Sequence, residues 1–141
     1  MLIQTLRTQI LFFIAFAIGG CSLFDSGTEW KSGNFEVLWI DLTSSSHLAY
    51  RMSNTTSIQI VESCVFEAGA NSKHIVVKQR PNGSSLTNFY VVQIDKYAPE
   101  KDIKNSVIGP LSESEYRALS QKMPMPVLTK IFPESVCSEK V

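Results

Sequence analysis

"SIQIVESCVFEAGANSKHIVVKQR", Ser57–Arg80, is the stretch whose reading decides the fold. Ile58, Ile60 and Val61 open a β-rich run that continues to Phe66. Gly69, Ala70, Asn71 and Ser72 then supply turn chemistry, and "HIVVKQR" returns as an antiparallel partner. Working outward, "FEVLWID" (Phe35–Asp41) reads as a strand carrying Phe35, Val37 and Trp39 on one face. Glu36, Leu38 and Ile40 fall on its other face. "SSSH" (Ser44–His47) breaks that pattern, and "LAYRM" (Leu48–Met52) can pair back as a second strand.

Downstream, Pro81, Asn82 and Gly83 in "RPNGSS" signal a turn, and "FYVVQID" (Phe89–Asp95) is a strand rich in aromatic and β-branched residues. "KYAPEKDIKN" is a polar loop and "SVIG" (Ser106–Gly109) a short strand. A helix follows in "GPLSESEYRALSQKM". Ser112 is its N-cap, Glu115 completes a capping box, and Leu111 with Tyr116 forms a hydrophobic staple. Glu113 and Glu115 suit the positive end of the helix dipole. Tyr116, Leu119 and Met123 make a narrow apolar stripe before Pro124 and Pro126 prevent further helix. The expected class is α+β: one antiparallel β meander with a single C-terminal α-helix packed on a face.

The N-terminus carries a different signal. Ile10–Ile18 is wholly apolar, preceded by the positive Arg7 and followed by Gly19, Gly20 and Cys21. At roughly 20 residues for a bilayer crossing, this run is too short to span. Positive start, apolar middle and small residues at the end form the layout of a secretory signal. "IGGC" (Ile18–Cys21) resembles the bacterial lipobox, in which the thiol receives a diacylglyceryl group and the leader is cut just before it. That resemblance implies cleavage between Gly20 and Cys21, acylation of Cys21, and anchoring to a lipid bilayer. Gly19 is a less usual residue at its place in that pattern. Two or three acyl chains, each buried methylene contributing about 0.8 kcal/mol, hold a protein durably without a spanning helix. Ser22, where aspartate would favour retention in the inner membrane, resembles the pattern exported to the periplasmic face of the outer membrane.

The expected organisation is a signal peptide over 1–20, a lipidated tether over 21–34 and one globular domain over 35–141. "SLFDSGTEWKSGN" (Ser22–Asn34) shows no periodicity and mixes Gly, Ser and charges, which reads as a tether. With 13 basic and 13 acidic side chains the formal charge is zero, and no basic stripe is present to recruit nucleic acid. Of the three cysteines, assigning Cys21 to lipid leaves Cys64 and Cys137 as an even pair in a compartment where disulfides persist. The alternative is two free thiols.

The middle and end of the chain resemble a loose group of small bacterial envelope lipoproteins with no assigned biochemical role. The shared features are "EAGANSKHIVVKQ", "FYVVQID" and "VIGPLSESEY". This resemblance implies the same fold and address and carries no catalytic residue.

Candidate reactive groups are sparse. His47 lacks a nucleophile-elbow context, and His74 opens a strand. Asp41 and Asp95 end apolar strands, where such residues cap the following turn. Glu62 and Glu67 flank Cys64 on an alternating strand, and Lys73, Lys78 and Arg80 keep the hairpin soluble. No catalytic residue, metal site or cofactor is expected. The turns around Asn71, Lys73 and Asn82 are candidate partner contacts, because loops on a rigid sheet carry recognition. The expected function is an envelope protein-binding module of inhibitor or immunity type, not an enzyme. The alternative is a structural or assembly accessory of an envelope complex.

Overall fold

The computed structural model describes residues 25–138. The expected leader over 1–20, the cleavage and lipidation residues Gly20 and Cys21, and the start of the tether lie outside the described residues. Within them, the chain is mostly antiparallel β-structure with one α-helix. The strands divide between two sheets. The first runs in the order β1 (Ser26–Ser32), β2 (Phe35–Ile40), β3 (Leu42–Arg51) and β4 (Ser57–Val61). The second holds β8 (Val107–Leu111), β7 (Asn88–Gln93), β6 (His74–Gln79), β5 (Val65–Ala70) and β9 (Thr129–Lys130), in that spatial order. The helix α1 (Glu113–Ser120) follows β8.

The expected single meander is therefore split. The run from Ile58 to Phe66, read as one strand, breaks at Glu62–Cys64, and the chain passes there from the first sheet to the second. Period-two alternation places Phe35, Val37, Leu48 and Val61 on the inner face of the first sheet. Val65, Ala68, Ile75, Val77 and Val92 meet them from the second. An apolar run continues equally well along one strand or across a corner between two packed sheets, so hydropathy alone does not separate the two.

"SSSH" does not interrupt β3 either. Ser44 and Ser46 point inward and are buried, and Ser46 Oγ donates to the Val65 carbonyl at 2.5 Å. A hydroxyl that finds a backbone acceptor in the facing sheet loses the penalty of burial, and the strand continues through it.

Likewise, Ser26–Ser32 within the expected tether is strand β1, paired from Ser26↔Ile40 to Ser32↔Phe35. Gly33, at φ 58°, supplies the left-handed residue of the connecting turn. Trp30 packs against the core cluster, which gives this polar stretch the one large apolar group it needs to dock.

The outer face of the second sheet carries its own apolar layer. Val76, Phe89 and Val91 are covered by Tyr116 and Leu119 of α1 and by Met125 and Leu128 beyond it. The Tyr116 and Phe89 rings stack at 4.4 Å with planes 10° apart. The capping box forms in full: Ser112 Oγ accepts from the Glu115 N–H, and Glu115 accepts from the Ser112 N–H at 2.7 Å. Leu111 joins the same apolar cluster as Tyr116.

The helix ends at Ser120, so Met123 does not complete the expected stripe. Pro124 disfavours helical backbone at the residue before it. Met125 and Leu128, in an extended segment, do the covering instead. This segment runs as a strap over the sheet to β9, beside β5. Gly69 of β5 lies directly beneath it, and a Cβ at that position would run into the Val127 carbonyl.

Candidate functional site

Each sheet has one outer face. The second sheet's is roofed by α1 and the strap; the first sheet's has no such roof among the described residues. On β2, the residues that alternate with Phe35 and Val37 are Glu36 and Leu38. On β3 they are His47, Ala49 and Arg51, and the register sets Glu36 opposite Ala49 and Leu38 opposite His47. Ser57 of β4 pairs with Arg51.

These positions build a fixed polar cluster. The Glu36 side chain is only 1% exposed. Its Oε2 accepts from Arg51 Nε at 3.0 Å and Nη2 at 2.8 Å, while Oε1 accepts from Ser57 Oγ at 3.1 Å. Arg51 Nη1 reaches the Asn54 carbonyl at 3.4 Å. A buried carboxylate persists only when paired and hydrogen-bonded, and this one is held from two neighbouring strands.

Beside the cluster runs a shallow open groove of about 530 Å³, bordered by Leu38, Trp39, His47, Arg51 and Thr55, with Ile40 on its lining too. Trp39 is in this groove rather than in the core. The β2–β3 ladder shifts register between Leu38 and Ile40, where the indole leaves the inward alternation expected from Phe35 and Val37. Its Nε1 donates to Glu29 at 3.0 Å. A Cβ on Gly27 would stand 2.7 Å from that nitrogen, so a residue without a side chain is needed where the ring lies against β1. His47 Nδ1 stands 3.0 Å from the Ser45 carbonyl, an acceptor, so this nitrogen carries the proton and donates.

The other sequence-predicted residues are dispersed. Cys64 and Cys137 are paired at disulfide distance, with Cα atoms 5.6 Å apart, and both are buried beside Phe66. Asn71 is committed to the fold. Its Oδ1 accepts from the N–H groups of Lys73 and His74 at 2.9 and 2.8 Å, and its Nδ2 donates to the Pro124 carbonyl at 3.1 Å. Lys73 and Asn82 are exposed.

Asn71 and Lys73 precede β6 whereas Asn82 follows it. A strand of six residues separates its flanking turns by about 20 Å, so the two turns stand at opposite ends of β6. His74 is buried under the strap with Nδ1 3.2 Å from the Pro124 carbonyl. Glu67 pairs with Lys78 across β5 and β6 at 2.9 Å, and Glu62 is exposed. Asp95 is exposed in a turn. Asp41 has φ 66°, and the cap at its hairpin is made by Ser45, whose Oγ accepts from the Ile40 N–H at 3.0 Å.

Glu36, Arg51 and Ser57 were not candidates in the sequence reading. The available signal was a carboxylate in the middle of an apolar strand, on the face opposite Phe35 and Val37.

Burial raises the hydroxyls of Tyr97 and Tyr116, and burial with the nearby Glu62 charge raises Tyr90. The backbone and side-chain hydrogen bonds from Ser112 lower the Glu115 carboxyl. Among the described residues, no group of three His, Cys, Asp or Glu side chains is placed to hold a metal ion, and no helix is long and apolar enough to cross a membrane. Comparison with protein-family models, with curated proteins and with solved structures yields no match to this chain.

Proposed function

We propose that this chain is a lipid-tethered protein of the bacterial envelope that holds a protein partner on the open face of its first sheet. The observation that carries the reading is the contrast between the two outer faces. One is roofed by a helix and a strap, while the other has no such roof among the described residues and contains a carboxylate locked in place by Arg51 and Ser57. Small-molecule sites are concave and enclose most of their ligand. This groove is shallow and flanked by a half-buried indole, an aliphatic side chain and an imidazole, a mixture suited to the side chains of another protein. The charge of Arg51 is matched within the cluster, so the partner contributes apolar and neutral hydrogen-bonding groups rather than a strong counter-charge. No nucleic acid, metal or cofactor enters this reading, and no catalytic step is assigned.

The address rests on the lipobox-like "IGGC" ending at Cys21, and the Cys64–Cys137 pair accords with an oxidising compartment. Acyl chains on Cys21 place the domain at a membrane surface, with the periplasmic side of the outer membrane favoured by Ser22.

The test is photo-crosslinking in intact cells from two single positions: Leu38 in the groove and Ala118 on the exposed side of α1. One discrete adduct from Leu38, lost on Arg51→Ala and absent from Ala118, is the expected result. Equal adducts from both positions, or none from Leu38, would overturn it.

A further inference from the structure

The β2–β3 hairpin tip is built in an unusual way. Its two flanking residues, Ile40 and Leu42, are paired across Asp41, and their relative exposures are 50% and 51%. Asp41 takes the left-handed conformation at φ 66°, which a non-glycine residue adopts rarely and which here requires outside support. That support comes from two sides. Ser45 Oγ accepts from the Ile40 N–H at 3.0 Å and lies 2.6 Å from the carbonyls of both Ile40 and Leu42, to either of which it can donate. The Asp41 N–H donates to the Asp25 carbonyl at 2.7 Å. The tip is thus held in a shape that turns two aliphatic side chains toward solvent.

The second contact also fixes where the tip is. Asp25 is the first described residue, and Cys21 lies four residues before it. Four residues of extended chain reach at most about 14 Å. Cys21 can therefore stand no further than that from Asp25, whose carbonyl is itself hydrogen-bonded to the tip. The intervening segment is short and contains two further apolar residues, Leu23 and Phe24.

We infer that the Ile40–Asp41–Leu42 tip is a membrane-resting foot: it seats Ile40 and Leu42 in the headgroup zone of the bilayer that holds Cys21. This inference rests on the reading that Cys21 carries acyl chains. The interfacial zone into which amphipathic groups settle is about 5–10 Å deep, within reach of so short a connection. The acyl chains supply the affinity; the foot supplies an orientation.

Asp41 sits between the two apolar residues and Asp25 is hydrogen-bonded to it, so the tip settles among headgroups and not in the hydrocarbon core, and zwitterionic lipid suits it better than anionic lipid. β3 runs from Leu42 at the foot to Arg51, about 30 Å away along the strand. The Arg51 end of the open groove, with its turn at Asn54, then points away from the membrane toward a partner.

The experiment uses full-length protein purified from bacterial membranes and reconstituted in zwitterionic phospholipid vesicles. Leu42→Cys and Asn54→Cys each carry an environment-sensitive fluorophore, and intact mass records the state of Cys21 in the same samples. The expected result is acylated protein whose label at position 42 is blue-shifted and several-fold brighter in vesicles than in detergent-free buffer. The label at position 54 keeps its water-like emission. Adding Ile40→Asp to the Leu42→Cys protein should abolish the shift while the protein stays on the vesicles.

Acylated protein with water-like emission at both positions, or the same shift at both, would overturn the foot and leave the anchor standing. An unmodified Cys21 in the native product would overturn the anchor reading and the foot with it.

Discussion

Asn71 and Pro124, separated by 53 positions in the chain, are joined by a hydrogen bond from the Asn71 side-chain amide to the Pro124 carbonyl at 3.1 Å. The carbonyl also accepts from His74 Nδ1 at 3.2 Å, so one backbone oxygen of the strap is held by two side chains of the β5–β6 turn. Asn71 at the same time closes that turn through its Oδ1. Replacing it by alanine removes three hydrogen bonds, some of which water restores. Asn71→Ala is expected to lower stability by about 2 kcal/mol at roughly 1 kcal/mol per net bond lost. Hydrogen exchange should show faster opening at the strap amides that follow Pro124, with the first sheet unchanged.

The Glu36–Arg51 pair predicts an asymmetric mutant series. Removing one partner of a fully buried ion pair costs about 3–5 kcal/mol, and Arg51 is only partly buried, which screens the charge. Arg51→Met leaves the carboxylate without its cation and is expected to cost about 2 kcal/mol by denaturant unfolding. Ser57→Ala removes one hydrogen bond to a charged group and should cost about 1.5 kcal/mol. The double replacement Glu36→Leu with Arg51→Met removes both charges together and should recover most of the loss. A double mutant no more stable than Arg51→Met would show that the pair is not what holds this face.

The Cys64–Cys137 pair closes a loop with a sequence separation of 73 residues. Constraining an unfolded chain over that length contributes about 4 kcal/mol in the chain-entropy model. Reduction is therefore expected to lower the melting temperature by well over ten degrees, because at this size about 1 kcal/mol corresponds to about 4 °C or more. It should also release the C-terminal segment Glu134–Ser138 to proteolysis before the sheets. Unchanged melting after confirmed reduction would contradict the pairing.

Acid and alkali should act at different places. Ser112 holds the Glu115 carboxyl below the ordinary range, so the folded form favours the charged state. The stabilisation from the capping box is present above the unfolded carboxyl value and is lost as pH falls through the lower folded value. Helical circular dichroism should diminish there in the wild type and much less in Ser112→Ala, which itself costs about 1 kcal/mol. At the other end, Tyr97 and Tyr116 are raised by burial. Their contribution is complete below the unfolded tyrosine value and is lost as pH rises through the higher folded value. Alkaline unfolding monitored by tyrosinate absorbance should therefore be cooperative, and Tyr116→Phe should delay it.

Local patterns in the chain determined much of what is seen. Ser112 and Glu115 specify the helix start because a cap depends on groups three residues apart. The β-branched and aromatic content of "HIVVKQ" and "FYVVQ" specifies strands because such side chains pack well on a pleated surface whatever lies further along the chain. The class of fold, antiparallel strands with one helix, follows from these local rules, as does the parity of the cysteines.

What tertiary structure alone decided was partnership. Whether Ile58–Phe66 continues in one sheet or crosses to another depends on what waits for Val65 on the far side, and there Ser46 offers a hydroxyl. Ser26–Ser32 becomes a strand because β2 presents an edge and the core has room for Trp30. Asn71 turns inward because the strap brings a carbonyl to it from 53 residues away. Glu36 becomes the centre of the open face only when Arg51 and Ser57 arrive from other strands. A side chain's role at such places is set by groups distant in sequence, and no window of neighbouring residues contains them.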